Sequence, residues 1–214
     1  MAWVWWGELP PADGPTTTAE TPGSDLRVTR SAALWIVASI SALSFISEAS
    51  IESWSAIYLR AALDLPALVG ASAVATFHLA MTTGRLSAAG ILRRIQRLTL
   101  LRVAGVLAAA GMALTLATTY PPLILCGFLV VGLSFSAIVP VAVSLAGDLF
   151  PARAGQVTSL VFTVSYTAVL FGPGIVGNLA ESTGLRLALG SIIVAGGLIA
   201  ALTLLPVARR ELGR

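Results

Sequence analysis

The stretch SFISEASIESWSAIYL, residues 44–59, ends an apolar block that begins at residue 31, yet it contains two glutamates, Glu48 and Glu52. A helix of about 20 apolar residues crosses the ~30 Å hydrocarbon core of a bilayer, and this block is long enough to do so. The chain as a whole is 57% hydrophobic and only 11% charged. This balance excludes an ordinary soluble domain and indicates a protein that lies in lipid.

Six apolar blocks of this kind follow one another along the chain, separated by short stretches with arginine, proline or glycine. Their predicted extents are residues 31–59, 67–92, 100–118, 122–147, 157–180 and 185–207. None shows the alternation over ~10 residues that is typical of a membrane β-barrel. The sequence therefore predicts an all-α membrane protein of six transmembrane helices, with consecutive helices antiparallel because the connections are short.

The ends of the chain differ in composition from the blocks. Residues 1–30 are rich in proline, threonine, glycine and acidic side chains, which predicts a disordered cytoplasmic tail or linker. Its tryptophans either rest at the membrane interface or belong to an unstructured leader. Residues 31–208 are predicted to form the six-helix transmembrane domain, and residues 209–214 a cytoplasmic tail.

The arginines predict the orientation, since cationic loops next to spans are retained in the cytoplasm. With the N-terminus inside, only Arg60 and Arg186 of the 13 cationic residues lie outside. Both termini are therefore predicted to be cytoplasmic, in a multi-pass protein of the cell inner (plasma) membrane. No basic face is clustered outside the loops, so the net charge of +3 does not indicate a nucleic-acid partner.

Two stretches carry a resemblance to a known family. The first, EASIESWSAIYLRAALDLPALVGASAVATFHLAMTTGRLSAAGILRRI (48–95), has an acidic residue and an aromatic-serine pair before a Tyr-Leu helix end. A Gly-Arg pair, Gly84 and Arg85, then closes the next helix before a basic loop. The second, residues 147–189, contains a Gly-Pro-Gly break. Over about residues 31–208 the chain resembles the second six-helix half of a major facilitator superfamily transporter.

The resemblance implies secondary active transport of a small solute, with protons as a candidate coupling ion and no cofactor. Ala89 and Gln96 stand where the family has an aspartate and a glycine, which leaves open whether this loop makes the family's charge contact on the cytoplasmic side. Family members have two six-helix halves and this chain has one. The chain is therefore expected to be a fragment or truncated gene product, or to pair with a second six-helix half or with another copy of itself.

Glu48 and Glu52 are the first candidate site residues. An ionisable group at membrane depth is costly unless it faces a cavity or a partner. Four residues apart, the two carboxylates share a helix face and repel each other, so one of them is expected to carry a proton. The resemblance favours Glu48 as the proton-coupling group, with Glu52 modulating it. The alternative places both in the outer headgroup region, solvated and without a role.

Further candidates surround this pair. His78 lies in the middle of the second block, where an imidazole either relays protons and binds solute or bonds to a neighbouring helix. Trp54 and Tyr166 are candidate solute contacts. Arg85 is placed in a structural or gating role because its long side chain reaches the cytoplasmic interface.

Helix breaks form a predicted gating set together with Gly84 and Arg85. Pro140 in the fourth block and Pro173 in the fifth each remove a backbone donor, which predicts kinks. Gly172 and Gly174 are expected to loosen the helix around Pro173 further.

Several chemistries lack their signature in the sequence. There is no phosphate-binding loop, no nucleophile motif and no metal-ligand spacing, and the single cysteine is Cys126. A transporter remains the main hypothesis, beside an embedded enzyme or a structural membrane protein. A transporter predicts that the Glu face and the Gly-Pro-Gly break look into one cavity, and an enzyme predicts a carboxylate within hydrogen-bond reach of His78. A structural protein predicts neither.

Overall fold

The computed structural model describes residues 28–92 and 95–213, and this part of the chain is helical, without a β-strand. The predicted tail lies almost entirely outside the described residues. The α-helices are α1 (Ala32–Ala61), α2 (Ala67–Leu92), α3 (Arg97–Ala117), α4 (Pro121–Leu149), α5 (Ala154–Thr183), α6 (Leu185–Leu189), α7 (Ser191–Leu202) and α8 (Pro206–Glu211). A 3₁₀ turn, Pro151–Arg153, joins α4 to α5.

Six segments are long and apolar enough to cross a membrane, which confirms the predicted count. They are Ala32–Ala61, Ala67–Ser87, Arg97–Ala117, Pro121–Leu149, Pro151–Thr183 and Leu185–Leu202. The sixth predicted block is not one helix, however. The chain turns at Gly190, between α6 and α7, and leaves helical geometry again before Pro206, which begins α8. Because proline lacks a backbone N–H, it is favoured as the first residue of a new helix.

The helix ends follow from local chemistry. The hydroxyl of Ser31 accepts a hydrogen bond of 3.3 Å from the backbone N–H of Leu34 and so caps α1. Gly184 ends α5 at a φ of +85°, a conformation that favours glycine. These caps leave α1 and α5 at 30 residues each, about 45 Å at 1.5 Å per residue, which exceeds the hydrocarbon core.

The packing places α4 at the centre, between α2 and α3. Helix α1 packs mainly against α5, and α3 packs against α7 as well as α4. The core holds the buried aromatic rings of Phe77, Phe128 and Phe135. Where α3 and α7 cross, a methyl group built on Gly105 would lie 2.6 Å from the carbonyl oxygen of Gly196, and the reverse holds as well. Small residues thus let the backbones approach closely, as is typical of membrane helices.

Two predicted kink sites lie within continuous helices. The helix α5 continues through Gly172, Pro173 and Gly174, so this segment does not divide it, and α4 likewise continues through Pro140. One missing donor is tolerated in an apolar helix because neighbouring groups satisfy the freed backbone. Similarly, α2 does not close at Gly84 and Arg85 but runs on to Leu92.

Gly84 instead lies at a close contact between helices. A methyl group built on it would lie 2.2 Å from the hydroxyl oxygen of Ser136 in α4. The absence of a side chain at Gly84 therefore lets α2 and α4 approach closely. In the Gly-Arg pair, Gly84 packs between helices and the side chain of Arg85 is exposed.

Candidate functional site

Two charge pairs join α1 to α2. The Nε2 atom of His78 lies 3.2 Å from Oε1 of Glu52, and an Nη2 atom of Arg85 lies 4.0 Å from Oε1 of Glu48. The helices are antiparallel, so Glu52, the later residue in α1, pairs with His78, the earlier residue in α2. Both carboxylates therefore face the neighbouring helix as well as each other.

Glu48 lies close to the middle of α1, which continues to Ala61. The side chain of Glu48 is 21% exposed, whereas those of Glu52, His78 and Arg85 are 46%, 45% and 54% exposed. Glu48 is thus the most enclosed of the four ionisable groups. An enclosed carboxylate at this depth is stabilised when a cation lies beside it.

The net charge of these four groups depends on the proton of His78. Two carboxylates oppose one guanidinium and one imidazole, so the cluster is neutral when His78 is protonated and carries one negative charge when it is not. A single proton therefore changes the net charge of a surface that lies midway along two helices. The contact between a glutamate and His78 was expected only for an enzyme, and the pair of Glu48 with Arg85 was not expected, because the distance between blocks is not visible in a single sequence.

An aromatic cluster adjoins the carboxylates. The ring centroid of Phe45 lies 5.4 Å from that of Tyr166 and 6.4 Å from that of Phe162, and the last two rings stack at 6.0 Å. Phe45 is three residues before Glu48 and so shares its side of α1. Tyr166 is 60% exposed, which leaves its ring available to a ligand. Phe45 and Phe162 were missed, and their aromatic character in a block rich in Ala and Leu was the available signal.

Trp54 faces a different helix. Its Nε1 atom donates a hydrogen bond of 2.9 Å to the carbonyl oxygen of Pro173 in α5. Trp54 lies two residues after Glu52, about 200° further around the helix. The Glu face and the Gly-Pro-Gly segment therefore lie on opposite sides of α1, contrary to the cavity expected of a transporter. The contact between Glu52 and His78 is the geometry that the enzyme hypothesis predicts.

A further ion pair joins the first residue of α3 to the last turn of α4. An Nη1 atom of Arg97 contacts a carboxylate oxygen of Asp148 and also donates a hydrogen bond of 3.2 Å to the hydroxyl of Ser144. A charge contact thus exists next to the loop that contains Gln96. The sequence signal was an acidic residue three positions before the Pro151–Arg153 turn, together with a loop rich in arginine between the second and third blocks.

The site is one of ionisable and aromatic side chains. In residues 28–92 and 95–213, no three His, Cys, Asp or Glu side chains form a group able to hold a metal ion. Paired ionisable groups at mid-helix in a bundle of apolar spans are typical of membrane transport proteins.

The chain belongs to the Major Facilitator Superfamily, whose family model matches residues 1–173. Three curated relatives are similar to it. An uncharacterized transporter of Sinorhizobium fredii is 30% identical over 79% of this chain and 45% of its own length. An uncharacterized MFS-type transporter of Yersinia pestis is 27% identical over 69% of the chain and 38% of its own length. The membrane protein MosC of Rhizobium meliloti is 31% identical over 75% and 40%.

This family membership confirms the resemblance and places the chain among membrane transport proteins. The chain matches less than half of the length of each of these relatives. Its six spans correspond to half of a Major Facilitator Superfamily bundle.

Proposed function

We propose that this six-helix unit acts as half of a secondary active transporter that couples movement of a small solute to protons. Glu48 is the coupling carboxylate, Glu52 and His78 modulate its protonation, and Arg85 is its counter-ion. The observation that supports this proposal most directly is that two charge pairs join α1 to α2, Glu48 with Arg85 and Glu52 with His78. The family supports transport as the general activity.

The pairs suggest how a proton could drive movement. When a proton binds Glu48, the carboxyl becomes neutral and its attraction to Arg85 is lost. Arg85 is 54% exposed and has a long stem, so its guanidinium can then turn toward water. The contact between α1 and α2 thus depends on protonation, and this contact is the element that a rocking motion would change.

The solute is assigned to the surface where the aromatic cluster meets the carboxylates. Tyr166 and Phe162 of α5 offer ring faces, while Glu48 and Glu52 offer negative charge that varies with protonation. Trp54 supports this surface by holding α5 against α1. The rocking motion would also depend on how the helices pack at Gly84, at Pro140 and at the segment Gly172–Gly174.

An embedded enzyme is the second candidate, because Glu52 lies within hydrogen-bond reach of His78. A carboxylate beside an imidazole serves general acid–base chemistry. The same pair equally serves proton coupling. Family membership favours the transporter, which is why coupling is the function proposed.

The test replaces Glu48 by glutamine, which imitates the protonated carboxyl. The chain is reconstituted into vesicles together with a separately produced first six-helix half of a family member, and the uptake of each of a panel of labelled small solutes is measured with and without a pH gradient. Glu48→Gln should abolish accumulation driven by a pH gradient yet leave solute exchange at equal pH intact. Glu52→Gln should shift only the pH optimum.

Glu181→Gln is the matched control, since Glu181 is an exposed carboxylate in the last turn of α5, away from the charge pairs. This variant should transport like the native chain. If Glu48→Gln and Glu52→Gln both retain gradient-driven uptake, the two glutamates are not coupling groups and the proposal fails.

A further inference from the structure

A row of polar side chains runs along α1 from its middle toward its C-terminal end. Its members, called here the α1 row, are Ser44, Glu48, Glu52, Ser55 and Tyr58. Each follows the previous one by three or four residues, so their Cβ atoms lie about 5–6 Å apart on one side of the helix. One water molecule can bridge two hydrogen-bonding groups across such a gap.

Three members of the α1 row are buried hydroxyls without a partner. Ser44 and Ser55 have no exposed surface and Tyr58 is 1% exposed. Their hydroxyl oxygens make no hydrogen bond to any residue in the described part of the chain. A buried hydroxyl left without a partner loses the hydrogen bonds it would make to water, so native proteins rarely leave one unmatched.

Other serines of the same helix show the usual solution. Ser47 donates a hydrogen bond of 2.7 Å to the carbonyl of Leu43, and Ser50 donates one of 2.6 Å to the carbonyl of Ile46. This bond to the residue four positions earlier is common for serine in helices. Ser44 and Ser55 do not make it, although they lie in the same helix.

We propose that the hydroxyls of Ser44, Ser55 and Tyr58 hold internal water molecules beside Glu48 and Glu52, and that the part of the α1 row from Tyr58 to Glu48 conducts protons between the C-terminal end of α1 and these carboxylates. Buried water typically binds where several polar groups would otherwise lack partners. The inference rests on the proton coupling of the proposed function and adds the route by which the proton reaches the site.

The transfer changes only O–H bonds. Each hydroxyl accepts a proton from the water on one side and passes its own to the water on the other, so it stays neutral. The proton ends on a carboxylate oxygen, which becomes a carboxylic acid, and it leaves by the reverse steps. His78 and Arg85 of α2 face the carboxylates, and Arg186 of α6 lies within electrostatic reach of Tyr58. This cation disfavours an excess proton resting at the end of the row.

The experiment follows protonation directly. The purified full chain in lipid nanodiscs is subjected to a rapid pH jump, and time-resolved infrared spectroscopy follows the carboxyl band that Glu48→Gln removes. Ser55→Ala and Tyr58→Phe each delete one hydroxyl and preserve most of the shape. Each should slow protonation about tenfold, because one relay group is lost. Ser47→Ala and Ser50→Ala, whose hydroxyls bond to the backbone, should leave the rate unchanged.

Equal rates in the two sets of variants would overturn the inference, as would the absence of any carboxyl protonation in the native chain. Thermal unfolding gives a second criterion that needs no kinetics. If the hydroxyl of Ser55 were dry, Ser55→Ala would remove an unmatched polar group and raise the Tm; if it holds water, the Tm stays the same or falls. A rise in Tm would therefore also contradict the inference.

The infrared measurement does not require transport, so the two proposals fail separately. Slowed protonation in Ser55→Ala, together with gradient-driven uptake that survives Glu48→Gln, would refute coupling and leave the water route intact. Uptake that is lost in Glu48→Gln, together with native protonation rates in Ser55→Ala and Tyr58→Phe, would refute the route alone.

Discussion

The indole Nε1 of Trp54 donates its hydrogen to the carbonyl oxygen of Pro173 over 2.9 Å, and so joins α1 to the proline of α5. Gly177, one turn further along α5, lies beneath the same ring, since a methyl group built there would be 2.7 Å from an indole carbon. The glycine thus makes room for the tryptophan, and the proline supplies its acceptor. Trp54 is therefore engaged in helix packing as well as being a candidate near the site.

Trp54→Phe keeps an aromatic ring but removes the donor. We expect the free energy of unfolding in detergent to fall by at least about 1 kcal/mol, the net value of one intramolecular hydrogen bond, because the smaller ring also loses packing against Gly177. Trp35→Phe is the control: its Nε1 donates over 2.7 Å to the carbonyl of Thr29, at an exposed position beside the start of α1. It should cost less, because water competes for an exposed donor. Equal losses would show that the Trp54 bond does not hold the helices together.

Gly172→Ala tests the contact between α1 and α5. A methyl group built on Gly172 would lie 2.2 Å from a side-chain carbon of Ile46, whereas one on Gly174 would meet nothing within 4 Å. Gly172→Ala should lower the Tm relative to Gly174→Ala by an amount that corresponds to about 1–3 kcal/mol of overpacking. Both variants gain the same helix propensity, so the difference isolates the clash.

The double variant with Ile46→Ala should recover part of the stability lost in Gly172→Ala, because it removes the obstructing side chain. If Gly172→Ala and Gly174→Ala melt alike, the close approach of the two helices at Gly172 is contradicted.

The orientation can be checked with reporter fusions. With both termini cytoplasmic, a reporter that is active only in the cytoplasm should be active after residue 213 and silent when inserted into the turn at residues 118–120, between α3 and α4. Arginine is concentrated at the predicted inner ends, which is the physical reason for the expectation. Activity in the turn and silence at the C-terminal fusion would reverse the orientation.

The requirement for a partner can be tested by reconstitution. The exposed face of Glu52, His78, Arg85 and Tyr166 would lie against lipid in an isolated six-helix unit, which is unfavourable for ionised groups. The chain alone should therefore show no solute uptake in vesicles, and uptake should appear once a first six-helix half is added or a homodimer forms. A monodisperse monomer that transports by itself would contradict this prediction.

The sequence was sufficient to predict the membrane spans, because each helix that crosses the hydrocarbon core needs about 20 apolar residues and such blocks are visible in the composition. Five of the six blocks became single helices, with ends shifted by up to three residues. It was insufficient at Gly172–Gly174, where proline and glycine predict a break in water. In this bundle the segment stays helical, with Ile46 and Trp54 of α1 packed against it.

The candidate site was predictable residue by residue but not as an arrangement. Glu48, Glu52 and His78 stand out because ionisable groups are rare in apolar blocks. Their pairing depends on the rotation of α1 relative to α2, which buried contacts between helices determine and no local pattern encodes. The spacing of two residues puts Trp54 and Glu52 on opposite sides of α1, but only the structure shows that they face α5 and α2 respectively.

The crossing of α3 and α7 limits genetic change differently from that of α1 and α5. At Gly105 and Gly196 the nearest obstacle to a side chain is the carbonyl oxygen of the opposite glycine. No second substitution can shorten a backbone, so a suppressor screen that starts from Gly105→Ala should return only true revertants. A screen that starts from Gly172→Ala can also return variants with a smaller residue at Ile46, which restores the packing. The contact between α1 and α5 can therefore change through paired substitutions, whereas the crossing of the two glycines cannot.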